Sequence, residues 1–180
     1  MNVNEKKMEN FFKTKRAQGG VFGLSFGMIF SIILIVFFII VAFIAIRAFL
    51  NYQKTTQIGL FFRELQEDVD EAFYASSADF SKNYSLPSGI EYVCFSNMSA
   101  NPKKYTAKEL MIYESIKKSY YTIEDNLYIY APKKSFSIEN TKIKHVDLSK
   151  KNPICIQVIN NKVMIKFKKS FESPLVEVSE

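Results

Sequence analysis

The residue types that usually carry enzymatic or metal chemistry are few in this sequence. It has two cysteines, Cys94 and Cys155, and one histidine, His145. A metal site needs three or four ligands from Cys, His, Asp or Glu, and a nucleophile needs a base beside it. No CxxC or HExxH motif and no glycine-rich phosphate loop occurs. The sequence therefore predicts no catalytic residue, no metal ligand and no cofactor site, in a protein that is not an enzyme.

The two cysteines are suited to a disulfide. Each lies in a predicted strand, and the chain has no third cysteine to compete for pairing. Disulfides persist in oxidising compartments outside the cytoplasm. A Cys94–Cys155 bond would close a loop of about 60 residues and stabilise the fold by ~4 kcal/mol. Two reduced, buried thiols are the alternative interpretation.

Two sequons could accept N-linked glycans. Asn83 begins Asn-Tyr-Ser and Asn97 begins Asn-Met-Ser, both in or beside predicted loops. Chance occurrence is the alternative for each, and we favour it for Asn97 because this residue directly follows a strand. His145 lies beside a lysine in a predicted strand, and we interpret it as structural.

The charged clusters are interpreted as solvated surface. One helix face carries four acids at helical spacing, which are Glu64, Glu67, Asp68 and Glu71. Lysines cluster at 133–134, 150–151 and 166–169. Lysines alternating along a strand protect a sheet edge from pairing with another chain, so we do not expect nucleic acid as a partner.

A long apolar segment precedes the cysteines, the sequons and the charged clusters in the chain. Residues 21–46 contain no charged side chain. A helix of this length is ~39 Å long and exceeds the ~30 Å of bilayer hydrocarbon. A cleaved signal peptide would have a shorter apolar stretch. We therefore expect a single-pass transmembrane helix whose partner is the lipid bilayer.

The residues around this helix predict its direction and a packing face. Before it lie five basic and two acidic residues, which are Lys6, Lys7, Lys13, Lys15, Arg16, Glu5 and Glu9. The positive-inside rule then places residues 1–20 in the cytoplasm and the C-terminal domain outside. Gly19, Gly23, Gly27 and Ser31 recur every fourth position on one helix face. Such a face permits close packing with another helix, with chance small residues as the alternative.

Beyond the membrane the pattern predicts an α+β domain. Apolar residues at helical spacing continue the helix over 47–75, and a Ser-, Asn- and Pro-containing stretch predicts a linker loop over 76–89. Residues 90–180 form the extracytoplasmic domain, with a helix over 107–120 capped by Thr106 and Glu109.

Seven strands are predicted in and around this domain, over 90–95, 126–130, 135–138, 142–146, 154–159, 162–168 and 175–178. Asn160 and Asn161 separate two of them and tolerate the positive φ of a two-residue turn. The expected hairpin pairs Ile156 with Ile165 and buries one face of both strands.

The residues just before the apolar helix resemble a known processing signal. Lys15-Arg16-Ala17-Gln18 is a basic pair, a small residue and a glutamine. It resembles the class III signal segment of archaeal type IV pilin-like proteins, in which a membrane peptidase cuts before the glutamine. The resemblance implies cleavage between Ala17 and Gln18. Phe22 stands where the family usually has a glutamate.

The resemblance also implies a plan for the whole chain. A long N-terminal transmembrane helix continues as a stalk and is followed by a small, mainly antiparallel β domain with one additional helix. In the family, the apolar helices pack together in a filament core. The resemblance therefore implies self-association, or association with related subunits, through the transmembrane helix.

Two classes of function follow. In the first, the chain is a pilin-like structural or accessory subunit of a cell-surface assembly. In the second, it is a monomeric, membrane-anchored binding module of the cell envelope that presents its extracytoplasmic head. A mature N-terminus at Gln18 favours the first, and an intact Met1 favours the second.

Overall fold

The computed structural model describes residues 26–119, 124–132 and 140–180. In chain order its elements are α1 (Phe26–Tyr74), β1 (Ala78–Ser85), β2 (Tyr92–Phe95), α2 (Ala107–Ser119), β3 (Leu127–Tyr130), β4 (Asn140–Thr141), β5 (Val146–Asp147), β6 (Ile154–Gln157), β7 (Lys162–Lys169) and β8 (Val176–Ser179). The predicted fold class is confirmed: a long N-terminal helix and a second helix accompany mainly antiparallel sheets. The chain divides after Ile46 into two compact units.

Helix α1 changes character along its length. Residues 26–46 are apolar and exposed, and α1 is long and apolar enough to cross a membrane near the N-terminus. Within the second unit, buried side chains recur at helical spacing and include Ile58, Phe61, Leu65, Val69 and Ala72. The helix is uninterrupted because the first proline of the chain is Pro87.

Within the described residues the second unit contains two four-stranded sheets. The first sheet has the order β1-β7-β8-β5 and the second has the order β4-β3-β2-β6. The β5–β8 pair is parallel and the other pairs are antiparallel. Buried side chains of α1 and both sheets form the main core.

Helix α2 covers the other face of the second sheet. Ile112 and Ile116 pack there against Tyr92, Cys94 and Tyr128. Strand β2 is buried at all four positions for this reason, since alternate side chains enter the two apolar layers. The predicted boundary of α2 agrees with the structure up to Ser119, after which Tyr120 lies outside the described residues.

The loop predicted over 76–89 is wrong. Residues Ala78–Ser85 form β1, an edge strand of the first sheet that pairs with β7 along its whole length. Its Ser and Asn side chains suggested a loop, but they lie on the exposed face of the strand. Phe80 and Tyr84 point the other way and contact the main core.

The predicted hairpin forms only at its turn, where Ile159 and Lys162 exchange two backbone hydrogen bonds, and the strand pairing predicted beyond this pair is wrong. β6 pairs with β2, whereas β7 pairs with β1 and β8, so the two strands belong to different sheets. Asn160 and Asn161 have positive φ values of 51° and 61°. Ile156 and Ile165 are buried as expected. Alternation sets which face is apolar, while the partner strand is chosen by the rest of the fold.

The strand predicted over 142–146 is also wrong. A turn separates β4 from β5, and His145 in it has a φ of 66°. Asn126 donates to the Ile143 carbonyl at 2.8 Å and accepts from the Ile143 N–H at 2.7 Å. A side chain therefore makes the bonds that a strand partner would make. The strand predicted over 135–138 lies outside the described residues.

Candidate functional site

The residues of the predicted packing face fall partly within the structure. Gly27 and Ser31 lie on the apolar part of α1, and both are exposed. The Ser31 hydroxyl donates to the Gly27 carbonyl at 2.8 Å, which satisfies its polar group within the helix. Four other predicted site residues lie outside the described residues, namely Ala17, Gln18, Gly19 and Gly23.

Cys94 and Cys155 form a disulfide. Their sulfur atoms are 2.11 Å apart, and their Cα atoms are 4.1 Å apart. The two residues are directly opposed on β2 and β6. Cys94 is fully buried, whereas Cys155 is partly exposed beside α2. The bond therefore links edge strand β6 to the interior of the second sheet.

A buried carboxylate, Asp68, lies beside the main core on the helix face that was predicted to be solvated. Asp68 is 5% exposed. Its Oδ1 lies 2.6 Å from Lys82 Nζ, and its Oδ2 accepts a hydrogen bond from the Tyr84 hydroxyl. The three glutamates of the same helical pattern are exposed, as expected for a solvated face. Asp68 differs because β1 supplies both of its partners.

The contacts of Asp68 shift the pKa values of these partners upward. The hydrogen bond to Asp68 raises the pKa of Lys82 above its ordinary 10.5, although burial opposes the shift. Burial, and then the hydrogen bond to Asp68, raise the pKa of Tyr84 far above its ordinary 10.0. Both groups therefore retain their protons near neutral pH, which suits a structural contact and opposes proton transfer.

His145 attaches the turn between β4 and β5 to α1. Its ring stacks on Phe73 with centroids 3.7 Å apart, and its Nδ1 lies 3.1 Å from Asp70 Oδ1. Gln66 donates to the same Asp70 oxygen at 2.8 Å and accepts from the Lys144 N–H at 2.8 Å. The positive φ of His145 is unfavourable for a residue other than glycine. The contacts with α1 stabilise the turn in this conformation.

A cleft of about 360 Å³ lies between α2, β6 and the end of β8. Its apolar lining includes Ile112, Ile154, Ile156 and Val178. Its charged lining includes Lys108, Lys150, Lys151, Asp147, Glu177 and Glu180. Ion pairs join Lys150 to Glu177 and Lys151 to Glu109 within this lining. The cleft is therefore more polar than a usual small-molecule site, and its mixture of apolar and charged groups would suit a ligand that carries both.

Glu109 forms one wall of this cleft at the start of α2. Its Oε2 accepts from the Thr106 N–H at 2.8 Å, and the Thr106 hydroxyl oxygen accepts from the Glu109 N–H at 3.2 Å. The predicted capping box is therefore confirmed. Its Oε1 lies 2.7 Å from Lys151 Nζ and accepts from the Cys155 N–H at 3.4 Å. Burial alone would raise the pKa of Glu109, but hydrogen bonds from Lys151 and Thr106 lower the pKa below its ordinary 4.5.

We expect Glu109 to stabilise the folded domain at neutral pH and to lose this stabilising effect in acid. Because its pKa is lower in the folded state, its contribution is present above pH 4.5 and is lost as the pH falls through the folded value. Glu109→Gln should lower the free energy of unfolding at neutral pH by about 1 kcal/mol through weaker capping. The substitution should also make the free energy of unfolding depend less on pH in the acid range. Urea unfolding of the full chain in detergent, followed by tyrosine fluorescence at neutral and acidic pH, measures both effects.

Glu114→Gln is the matched control for this prediction. Glu114 lies on the exposed side of α2 and should change neither quantity measurably. An acid dependence of Glu109→Gln equal to that of the unsubstituted chain would contradict the prediction.

Among residues 26–119, 124–132 and 140–180, no three Cys, His, Asp or Glu side chains form a group that could hold a metal ion. Comparisons find no family model, no curated protein and no solved structure that matches the chain. A function for the chain therefore has to be inferred from its fold and from the geometry of its described residues.

Proposed function

We propose that this chain is a non-enzymatic, membrane-anchored surface protein that serves as a pilin-like structural or accessory subunit of a cell-surface assembly. The observation that carries the proposal is α1, which is apolar and exposed over residues 26–46 and has a buried stripe from Ile58 onward. An exposed apolar helix of this length is favourable only in lipid or against other apolar helices. A small, mainly β domain follows it, as in the pilin-like plan.

The proposal places the N-terminus in the cytoplasm and the folded domain outside. Five basic residues before residue 17 support this direction by the positive-inside rule. The disulfide supports it independently, since such bonds persist in oxidising compartments.

Membrane washing and protease digestion test the anchor and its direction. We expect the full-length chain to remain in the membrane pellet after washing with alkaline carbonate, because insertion of an apolar helix is effectively irreversible. Protease added to intact cells should digest the C-terminal domain. Release of the chain by carbonate contradicts the anchor, and digestion only after the cells are opened contradicts the direction.

The intact mass of the membrane-extracted chain distinguishes the two classes of function. Removal of the residues up to Ala17 leaves Gln18 as the N-terminus and supports a processed, pilin-like subunit. An intact Met1 supports an anchored binding module instead.

Cysteine cross-linking tests self-association through the small-residue face. Gly27→Cys places a thiol on that face, and Ile29→Cys is the matched control because it lies ~200° further around the helix. We expect covalent dimers in membranes from the first variant and not from the second. Equal cross-linking by both, or by neither, contradicts packing through this face.

A monomeric binding module is the second candidate, and the cleft beside α2 favours it. A cleft with an apolar floor and both signs of charge at its rim could bind part of an envelope component. This candidate predicts a monomeric chain with an intact Met1 in detergent extracts. Cross-linking through residue 27 together with cleavage before Gln18 would argue against it.

A further inference from the structure

Asn83 occupies an exposed position on an edge strand. Side chains alternate along β1, so Asn83 and Ser85 lie on the exposed face while Tyr84 enters the core. Among the described residues, the side-chain amide of Asn83 makes no hydrogen bond. The two polar members of this sequon therefore face solvent together.

An apolar patch lies beside Asn83. Met164 is directly opposite it on β7 and is 48% exposed, and Ile159 is 60% exposed. Both residues line a hollow of about 170 Å³ together with Asn83, Gln157 and Lys162. Met164 and Ile159 therefore give the surface beside Asn83 an apolar part that an attached group could cover. A sugar ring can cover it with C–H groups while Gln157 and Lys162 bond to its hydroxyls.

Asn97 has a different environment. Its side-chain oxygen accepts from the Ser99 N–H at 2.9 Å. Its backbone N–H donates to Asn152 Oδ1 at 2.9 Å, and its carbonyl accepts from Asn152 Nδ2 at 3.0 Å. Asn152 is itself buried. A glycan on Asn97 would have to fit beside these bonds to a buried residue, whereas the Asn83 side chain faces solvent, so a glycan there leaves the core contacts of Tyr84 in place.

We propose that Asn83, and not Asn97, carries an N-linked glycan whose first sugar covers Ile159 and Met164. The proposal rests on the extracytoplasmic location in the proposed function. The donor is a sugar linked to a lipid phosphate, and a membrane glycosyltransferase brings it to the amide. A bond forms between Asn83 Nδ2 and the anomeric carbon, and the bond from that carbon to the phosphate oxygen breaks. The lipid phosphate leaves with the electron pair, and the amide releases one proton.

A glycan at this position would also protect the sheet edge. Among the strands that the structure describes, eight-residue β1 pairs with β7 alone, which leaves an edge that is a template for unwanted pairing with another chain. A bulky, hydrophilic group on its exposed face would hinder the approach of a second strand.

Intact-mass measurement of the full chain, extracted from the membranes of its own cells, tests the glycan. We expect an increase equal to whole sugar residues that is lost completely in Asn83→Gln and retained in Asn97→Gln. Ser85→Ala should abolish the increase as well, although it leaves Asn83 in place. An unmodified chain, or an increase that Asn83→Gln retains, overturns the proposal.

Protease digestion of intact cells separates this proposal from the location on which it rests. An unmodified chain whose domain is digested from outside overturns the glycan and leaves the location standing. An unmodified chain whose domain is protected overturns both.

Discussion

Replacing Cys94 and Cys155 together by alanine is expected to lower the free energy of unfolding by about 4 kcal/mol. The bond joins residues 61 positions apart, and its loss increases the conformational freedom of the unfolded chain. Urea unfolding of the full chain in detergent, followed by tyrosine fluorescence, measures the difference. The double variant avoids leaving a single reactive thiol.

The loss should be concentrated at β6. This strand has four residues and, among the described strands, lies at the sheet edge beside β2, while a long hydrogen bond from the Cys155 N–H to Glu109 supports its other side. Hydrogen exchange at the amides of β6 should therefore accelerate more than exchange in β7. A reducing agent should destabilise the unsubstituted chain and leave the double variant unchanged. A loss below about 1 kcal/mol would contradict a structural role for the bond.

Asp68→Ala is expected to lower the free energy of unfolding by about 3 kcal/mol. The substitution leaves the buried Tyr84 hydroxyl without its acceptor and removes the ionic partner of Lys82. Lys82 can turn toward solvent because its side chain is partly exposed, so most of the cost arises at Tyr84. The same urea titration measures the effect, and near-ultraviolet circular dichroism reports whether the core remains packed.

Glu67→Ala is the matched control on the same helix. Glu67 contacts Arg63 at 3.7 Å with both side chains about two-thirds exposed, so the change should stay within about 0.5 kcal/mol. Asp68→Asn keeps an acceptor for Tyr84 and should lie between the two. Similar values for Asp68→Ala and Glu67→Ala would show that the buried carboxylate contributes no more than an exposed one.

Local features of the chain could be predicted from the sequence. The uncharged run, the helical spacing of apolar residues and the absence of proline predict α1, and the Thr106–Glu109 pair predicts the start of α2. Asn160 and Asn161 predict a turn that tolerates positive φ. Each of these depends on residues within a few positions of one another, so no distant partner is needed to recognise it.

Features that depend on distant residues could not be predicted in this way. β1 has the composition of a loop and becomes a strand because β7 pairs with it and α1 covers its inner face. The apolar faces of β6 and β7 were predicted, but the two strands pair in different sheets because β2, β1 and β8 compete for them. Pairing energy comes from whichever strands the core brings together.

The site residues show the same division. Composition alone determined that the chain has one histidine and a single pair of cysteines. The order of the residues determined that it has an uncharged run long enough to span a bilayer. Only the tertiary structure decided that Asp68 is buried while Glu67 is exposed, that the Asn83 side chain is exposed on a strand while the Asn97 side chain accepts a backbone hydrogen bond, and that Glu109 adjoins Cys155 in a cleft. Residue type limits what chemistry a side chain can do, but burial and contact are set by elements far apart in the chain, and these act together only after it has folded.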